Sequence, residues 1–387
     1  MDDTCARWSD LLPELWMAIG KHLDTHIDVL RCRGVCRSLR ASFPPFNAVS
    51  PLLPLYLLSL PNVDDADSPV KDILLARKII YRFSPLDRHQ TTNAASSSSS
   101  AAAAAAAKVW FAIVDSTNEG KLRILRPLYL SNLKFTYEAL RDEMNLLEFR
   151  IHELAKSYTI VNTEGVYVSD IRKVVMFPDS PWIDKKNCAV LAIFRDGKLG
   201  FAKLRDNKWT MFEKHNFAGG DVIVYRGKFY AVDRRGRIFS IDSWSMELSQ
   251  ISPPMSVFGK QKHLVECGGE VYVVDRFDDF SDSEDDVDDG GDNFNYNYND
   301  DVDSDSDNDS ESEEDEEDEA DFEVYRVDLN GEYCRRELEV VKNLGNEAIV
   351  LGNKREGSFS VSGTEFEGIQ GNCIYYPRRT MMMKKGF

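Results

Sequence analysis

The most restrictive feature of this chain is a repeat in its second half. Asp221–Asp233 (DVIVYRGKFYAVD) and His263–Asp275 (HLVECGGEVYVVD) align at an offset of 42 residues. In each copy a strand-forming run leads to a glycine turn, at Gly227 or Gly269, and a second strand-forming run ends in Asp. This pattern is typical of a β-hairpin. A strand-rich unit that recurs at about 42 residues predicts a β-propeller.

The strand after each hairpin tests the repeat and locates an insertion. Ile238–Asp242 (IFSID) resembles Val324–Asp328 (VYRVD), but here the offset is 86 residues. The excess over 42 is 44 residues, which is the length of the segment 278–321. We therefore predict that this segment is an insertion into one hairpin loop, on the surface, and that the sheet resumes at Phe322.

The inserted segment 278–321 holds 24 acidic residues and no Lys or Arg, in a chain of net charge −18. Like charges repel, and large apolar groups are few, so the segment is predicted to be disordered. It is interpreted either as a solubilising loop or as a phosphorylation region. Six serines have an acidic residue three positions later, the pattern that acidophilic kinases prefer: Ser281, Ser283, Ser304, Ser306, Ser310 and Ser312.

Other strand patterns extend over most of the chain. The segments 108–128 and 188–212 alternate strand-forming runs with turn residues, and Gly371–Pro377 is a further candidate. Without the acidic insertion and the Ala/Ser-rich segment 88–107, residues 47–387 leave roughly 280 residues, enough for six or seven blades. We therefore predict an all-β propeller of about six or seven blades.

Three segments fit the propeller pattern less well. The segment 88–107 contains seven consecutive alanines and no apolar stripe, so we expect a flexible surface loop. Leu52–Leu60 is apolar, and we expect a strand there that closes the last blade. Leu130–Ser157 has helical character in its centre and is interpreted as a helix between blades or as a poorly matched blade.

The first 46 residues follow a helical pattern instead. Apolar residues recur at helical spacing and form one face: Leu12, Leu15, Trp16, Ile19 and Leu23. Pro13 suits the first helical position, and Thr25 with Asp28 forms a capping box for a second helix. Gly34 is expected to mark a break. A segment this short cannot form a stable domain alone. It must therefore pack on the rest of the chain or on another protein.

The same stretch resembles an F-box, the helical motif that binds the Skp-type adaptor of SCF ubiquitin ligases. The matching features are Leu12-Pro13-x-Leu15, the Ile19 and Leu23 face, the run from Asp28 to Arg31, and the run from Val35 to Ser38. Leu39 stands where the motif usually has Trp, which lowers the expected affinity for the adaptor. The resemblance implies these adaptor-binding residues: Leu12, Pro13, Leu15, Ile19, Leu23, Val29, Leu30, Val35, Cys36 and Leu39.

The rest of the chain resembles plant F-box proteins with a kelch-like propeller domain, the KIB and SKIP-type proteins. The resemblance lies in Gly371–Tyr375 (GNCIY) and in the segment around Trp110 and Pro127-Leu128. It implies a multidomain protein, with a small all-α F-box at 8–46 followed by an all-β propeller at 47–387. The insertions at 88–107 and 278–321 fall inside the propeller.

These resemblances imply a non-catalytic substrate receptor. The F-box would bind a Skp-type adaptor, and through it a cullin scaffold, while the propeller would bind an unknown protein substrate for ubiquitination. The alternative is a ubiquitin-independent interaction protein whose acidic loop binds basic partners through its field. No catalytic arrangement, P-loop or cofactor motif is found, and no basic-aromatic stripe indicates nucleic acid.

The cysteines and the apolar runs bear on compartment and on metal binding. Seven scattered cysteines and no signal-peptide pattern favour the cytoplasm, the nucleus or both. Cys32 and Cys36 lie four apart, but without a second Cys or His pair we expect buried thiols rather than a zinc site. Pro51–Pro61 has 11 residues, whereas a membrane span needs roughly 20. We therefore expect no metal and no membrane.

Overall fold

The structure is a computed structural model. It describes residues 11–20, 22–23, 26–43, 53–55, 73–86, 110–116, 122–126, 146–161, 168, 171–179, 187–203, 208–212, 217–255, 259–277, 320–329, 338–352, 357–366, 369–378 and 381–386. The Ala/Ser-rich segment 88–107 and the six candidate phosphorylation serines lie outside these residues, as does most of the acidic insertion. Their predicted disorder and modification therefore stay predictions.

Three short helices come first and strands follow. The helices are α1 Pro13–Gly20, α2 His26–Val35 and α3 Arg37–Ser42. The strands of the first half are β1 Leu53–Leu55, β2 Ile73–Pro85, β3 Trp110–Ser116, β4 Leu122–Arg126, β5 Phe149–Val161, β6 Ile171–Phe177, β7 Ala189–Phe194, β8 Leu199–Lys203 and β9 Lys208–Met211.

The second half of the chain supplies the remaining strands. They are β10 Gly219–Tyr225, β11 Lys228–Asp233, β12 Ile238–Ile241, β13 Leu248–Gln250, β14 Gln261–Cys267, β15 Glu270–Arg276, β16 Phe322–Val327, β17 Glu339–Val341, β18 Glu347–Val350, β19 Phe359–Ser362, β20 Cys373–Arg378 and β21 Met381–Gly386. Strands therefore dominate the described residues that follow the helices.

The strands form five groups. Two are four-stranded sheets in chain order, β10 to β13 and β14 to β17, and a third has the order β19-β18-β20-β21. The remaining nine strands form one sheet, but β5 and β6 are joined through the single residue pair Tyr158 and Val174. This weak junction separates β1 to β5 from a four-stranded group, β6 to β9.

The five groups close into a ring. Their inner strands β5, β6, β10, β14 and β19 each contact the next, and β19 contacts β5. At that closure, Phe111 of β3 stacks on Phe366, which follows β19, with ring centroids 4.4 Å apart. The described residues therefore form five blades, so the predicted count of six or seven is not confirmed. The first group spans residues 53–161, more chain than a blade of about 42 residues, and its strands β2 and β5 are 13 residues long each.

The predicted repeat is present. β10 and β11 are joined by Arg226-Gly227, with φ of 45° and 80°, and β14 and β15 by Gly268-Gly269, with φ of 59° and 80°. Positive φ at both central residues is the geometry of tight hairpin turns. The third strands are β12 and β16. The sheet resumes at Phe322, and the Phe277 N–H donates to the Asp321 carbonyl at 3.0 Å, so the two ends of the insertion lie side by side.

One expectation about the strands was wrong, and one open alternative is answered for the described residues. β1, inside the apolar run 52–60, pairs with β2 rather than with the last sheet. The end of the segment 130–157 is a single-turn 3-10 helix, Leu146–Glu148, and then β5, so its described part is not an inter-blade helix. β5 alternates polar and apolar residues less regularly than an ideal strand, which explains why its pattern reads poorly in the sequence.

Candidate functional site

The first candidate site is the surface of the three helices. α1 begins at Pro13, as predicted, and the Leu12 carbonyl accepts from the N–H groups of Leu15 and Trp16 at 3.0 and 3.2 Å. α1 ends at Gly20, where a Cβ would lie 2.8 Å from the ring of Phe43. Glycine therefore lets α1 approach the end of α3 closely.

α2 anchors the helices to the first sheet. Ile27 is buried in a cluster with apolar residues of β2, β3 and β5: Ile79, Tyr81, Phe83, Ala112, Val114 and Ile151. Val29 is also fully buried. Burying side chains of this size stabilises the contact by about 1.5–3 kcal/mol each. The helices therefore pack on the propeller, one of the two options that their small size left open.

α3 is tied to α2 by polar contacts. Arg33 donates to the carbonyl of Arg40 at 3.0 Å and to that of Phe43, while Arg40 Nε donates to the Arg33 carbonyl at 3.3 Å. The helix break falls at Cys36 rather than at Gly34, which lies inside α2.

The prediction of two buried thiols in this region was wrong. Cys36 is exposed, and its sulfur accepts the Leu39 N–H at 3.4 Å as the N-cap of α3. Cys32 is half-buried, and burial raises the pKa of its thiol. The two cysteines therefore have different roles, and Cys36 acts as a cap.

The structure divides the predicted adaptor-binding residues by exposure. Val29 is fully buried in the chain, so its side chain is not on the surface, contrary to expectation. The half-buried ones are Leu23, Leu30 and Leu39. The exposed ones are Leu12, Pro13, Leu15, Ile19, Val35 and Cys36. The exposed subset is the part that remains available to a partner.

The exposed apolar residues are concentrated on these helices. Seven large apolar side chains in the described residues are exposed, and five of them belong to this region: Leu12 (63% exposed), Leu15 (48%), Met17 (46%), Ile19 (38%) and Val35 (60%). Trp16, expected on the same face, instead packs on Phe43 with ring centroids 6.0 Å apart. Met17 was missed because it lies outside the predicted stripe. Grouped exposed apolar residues indicate an interaction surface.

The second candidate site is the cavity inside the ring. Its volume is about 600 Å³, and all five inner strands or the residues beside them line it. Polar and charged side chains are prominent in the lining: Glu153, Lys156, Tyr158, Lys173, Asp179 and Glu266. None of these residues was singled out from the sequence, because ring closure brings together residues that are distant in the chain.

A β-bulge arranges the charges on β5. Tyr81 pairs with Glu153 and Ile80 with Ala155, so β5 has one extra residue at Leu154. Residues three apart on a regular strand point to opposite faces, but a bulge returns them to the same face. Glu153 and Lys156 consequently meet, with Lys156 Nζ 3.2 Å from Glu153 Oε1.

Asp179 completes this charged cluster. Lys156 Nζ lies 2.8 Å from Asp179 Oδ2, and Arg77 donates to Asp179 Oδ1 at 3.0 Å. Burial opposes the charge on Lys156, but Asp179 and Glu153 outweigh it, so the pKa of Lys156 is raised. Burial also raises the pKa of Glu153, against the opposing effect of Lys156. Both cations of the cluster are therefore held by acidic partners.

Further along the cavity a second ion pair joins two blades. Lys173 of β6 pairs with Asp221 of β10, and Asp221 Oδ2 accepts the Leu264 N–H of β14 at 2.8 Å. His263 lies beside this pair, and burial lowers its pKa to about 4. Among the described residues no group of three or more His, Cys, Asp or Glu is placed to hold a metal.

In the part of the chain that the structure describes, every helix is too short or too polar to cross a membrane.

Comparisons with known proteins agree with the ring of sheets. The profile of the family described as KIB1-4 beta-propeller matches residues 79–383. The provisionally named F-box protein At1g65770 of Arabidopsis thaliana is 27% identical over 97% of this chain and 91% of its own length. F-box protein SKIP23 of the same plant is 28% identical over 70% of this chain and 64% of its own length. F-box/kelch-repeat protein At1g64840 is 25% identical over 72% of this chain and 68% of its own length.

Proposed function

This chain belongs to the KIB1-4 beta-propeller family, and from that premise we propose that it is the substrate-recognition subunit of an SCF-type ubiquitin ligase. Its helices would bind a Skp-type adaptor, and through it a cullin scaffold. The propeller would bind the protein substrate. The names of the Arabidopsis relatives, which are F-box proteins, support this assignment.

The observation that carries the proposal is the exposed apolar surface of α1. Leu12, directly before α1, and Leu15 and Ile19 within it are each more than a third exposed. An amphipathic helix of this kind binds by placing its apolar face in a hydrophobic groove. Each leucine that becomes fully buried contributes about 1.5–3 kcal/mol.

The anchoring of α2 explains how adaptor binding would serve the substrate. Because Ile27 and Val29 are buried, the helices are held on the first sheet while α1 stays exposed. A substrate in the propeller would then be kept near the ubiquitin-charged enzyme of the ligase, at a raised effective concentration. This chain would position its substrate, and the ligase partners would carry out the chemistry.

The second candidate function is ubiquitin-independent binding of a basic partner by the acidic insertion. The observation in its favour is the concentration of 24 acidic residues in 278–321. Such binding would weaken steeply with salt and would survive changes in α1. Phosphorylation of its six serines would strengthen it by adding negative charge.

The test is co-purification of the full chain with a Skp-type adaptor. We expect the double variant Leu12→Ala, Leu15→Ala to bind at least about thirtyfold more weakly, because two anchors of the apolar face are lost. The matched control is Trp244→Ala, which removes an exposed apolar side chain from the turn between β12 and β13. The control should bind as the unmodified chain does. No adaptor binding by the unmodified, folded chain would overturn the proposal.

A further inference from the structure

The inner strands line the cavity with both apolar and polar residues. β14 contributes Leu264 and Glu266, and β10 contributes Val222, Ile223 and Val224. Tyr158 of β5 also lines the cavity, so the lining combines apolar walls with a few polar groups. Ligand sites usually have this composition.

The positive charges of the cavity are already bound by acidic side chains. Lys156 contacts both Glu153 and Asp179, and Lys173 pairs with Asp221. A ligand with a negative charge would have to break these pairs and leave buried acids uncompensated, which is costly. The cavity is therefore unsuited to an acidic ligand.

The negative charges are not all bound. Glu266 is exposed within the lining, and among the described residues it has no ion pair or hydrogen bond through its side chain. In Glu153 the oxygen Oε1 faces Lys156, while the buried Oε2 has no hydrogen-bond partner in the described part of the chain. Glu266 thus has acceptor capacity toward the cavity, and Glu153, which also lines it, keeps one oxygen without a hydrogen-bond partner in the described part of the chain.

Tyr158 offers a third group. Its side chain is buried, and its hydroxyl lies near Asp179. Burial raises the pKa of Tyr158 well above its ordinary value, and the nearby charge of Asp179 acts in the same direction. The hydroxyl therefore stays protonated and polar beside the cavity.

We propose that the cavity receives a basic side chain, lysine or arginine, of a protein substrate, with Glu266 and Glu153 as its acceptors. This inference rests on the proposed function, since it names the substrate chemistry that the propeller would select. A cation can pair with Glu266, and with the second oxygen of Glu153, without disturbing the existing ion pairs. The apolar walls, among them the half-buried Ile223 and Val224, would pack on the methylene groups of the same side chain.

The test uses the purified full chain and fluorescently labelled nine-residue peptides in an anisotropy titration. The peptides are identical glycine-serine sequences except for the central residue, which is arginine, lysine, citrulline or glutamate. Citrulline matches arginine in shape but carries no charge. We expect the arginine and lysine peptides to bind at least about tenfold more tightly than the citrulline peptide, and the glutamate peptide not to bind.

Variants assign the binding to the cavity. Glu266→Gln keeps the size of the side chain and should weaken arginine-peptide binding about tenfold, because one carboxylate partner is lost. Glu153→Gln should weaken it similarly. The matched control, Glu247→Gln, changes an exposed acid beside β13 at the outer edge of its sheet and should leave binding unchanged. Because Glu266 is exposed, its variant keeps the proposal testable even if Glu153→Gln disturbs folding.

The outcomes separate this inference from the proposed function. Equal binding of arginine and citrulline peptides, unchanged binding by Glu266→Gln, or no binding of either basic peptide at millimolar concentration would overturn the basic-residue site. The cavity variants should still co-purify with the Skp-type adaptor as well as the unmodified chain. If basic peptides bind but the adaptor does not, the cavity assignment stands and the ligase role fails.

Discussion

The blades β10–β13 and β14–β17 share one repeat but stabilise the end of their second strand differently. In β10–β13, Asp233 binds the turn that follows it. The backbone N–H groups of Arg235 and Arg237 donate to its Oδ1 at 3.0 and 2.9 Å, and Arg237 Nε donates to its Oδ2 at 2.6 Å. The carboxylate therefore closes a local turn.

In β14–β17 the equivalent Asp275 binds residues that precede it in the chain. The Gly259 N–H donates to its Oδ2 at 2.8 Å, and Lys262 Nζ lies 2.5 Å from its Oδ1, with both charged side chains completely buried. Burial lowers the pKa of Lys262 and raises that of Asp275. Removing both charges from water therefore costs free energy that their pairing only partly returns.

The acidic insertion accounts for the difference. Four residues, 234–237, join β11 to β12, so their N–H groups lie within reach of Asp233. After β15 the chain enters the insertion and returns at Asp321. The insertion therefore stands in place of the four-residue turn that follows β11. Gly220 aligns with Lys262, and a Cβ at Gly220 would lie 3.1 Å from Lys262 Cβ. The two copies of the repeat thus share their strands, whereas the loop after the second strand determines which groups Asp233 and Asp275 bind.

The largest expected effect tests the buried pair. Lys262→Ala should lower the free energy of unfolding by about 3–5 kcal/mol, because the buried Asp275 would lose its partner. Urea denaturation followed by tryptophan fluorescence measures this. The double variant Lys262→Met, Asp275→Leu should recover most of the loss, since no buried charge remains. A loss below about 1 kcal/mol in Lys262→Ala would show that the pair is dispensable.

The second prediction concerns His263, which occupies the position of Asp221 in the repeat. Its pKa is about 4 in the folded chain, against 6.5 ordinarily, because burial outweighs the attraction of Asp221, and Lys173 and Arg276 add repulsion. Between these values the unfolded chain binds the extra proton, so stability falls as the pH falls. From pH 7.5 to 5 the contribution of His263 should decrease by about 2 kcal/mol.

Urea midpoints across that pH range measure the effect. His263→Gln should remove this part of the pH dependence, whereas His22→Gln, at an exposed histidine of the helical region, should retain it. An unchanged slope in His263→Gln would mean that another group dominates the titration.

The third prediction returns to Asp233. Asp233→Asn keeps an oxygen for the backbone donors but loses the charge that pairs with Arg237, which is partly solvated. We expect a loss of about 1 kcal/mol in the free energy of unfolding. Asp275→Asn should cost several times more, because it leaves Lys262 charged and buried. Equal losses in the two variants, measured by urea denaturation, would contradict the distinction between the blades.

The smallest expected effect concerns the hairpin turns. Gly268 has φ of 59° and open space around it, and its counterpart Arg226 adopts φ of 45° with a full side chain. Gly268→Asn should therefore change stability by less than about 0.5 kcal/mol, because Asn tolerates this conformation. The contrasting variant is Gly236→Ala, whose Cβ would lie 2.1 Å from Met255 Sδ. It should lower the thermal midpoint clearly, and similar midpoints for both variants would contradict this reading.

Local features of the candidate sites were predictable. Pro13 marked the start of α1, and the stripe of Leu12, Leu15 and Ile19 predicted an apolar face that the structure leaves exposed. The packing of the Trp16 side chain was not predictable, because it depends on Phe43, a residue outside α1 that contacts the Trp16 ring. The burial of Val29 likewise depends on where the helices meet the propeller.

The sequence by itself determined the features whose causes lie within a few residues. The alternation of Asp221–Asp233 and His263–Asp275, with turn residues between the runs, required two matching hairpins, and the offset of 86 placed the insertion between strands. These features follow from backbone conformation and strand periodicity, which act locally.

The tertiary structure alone decided the number of blades and the cavity. In the described residues five blades result because β19 meets β5 across the ring, and no local pattern reports a contact between strands about 200 residues apart. The bulge at Leu154 depends on the pairing of β5 with β2, and the pairing of Lys156 with Asp179 depends on how β5 lies beside the end of β6. Charges converge on the cavity because packing between distant segments, rather than sequence spacing, sets which side chains share a buried space.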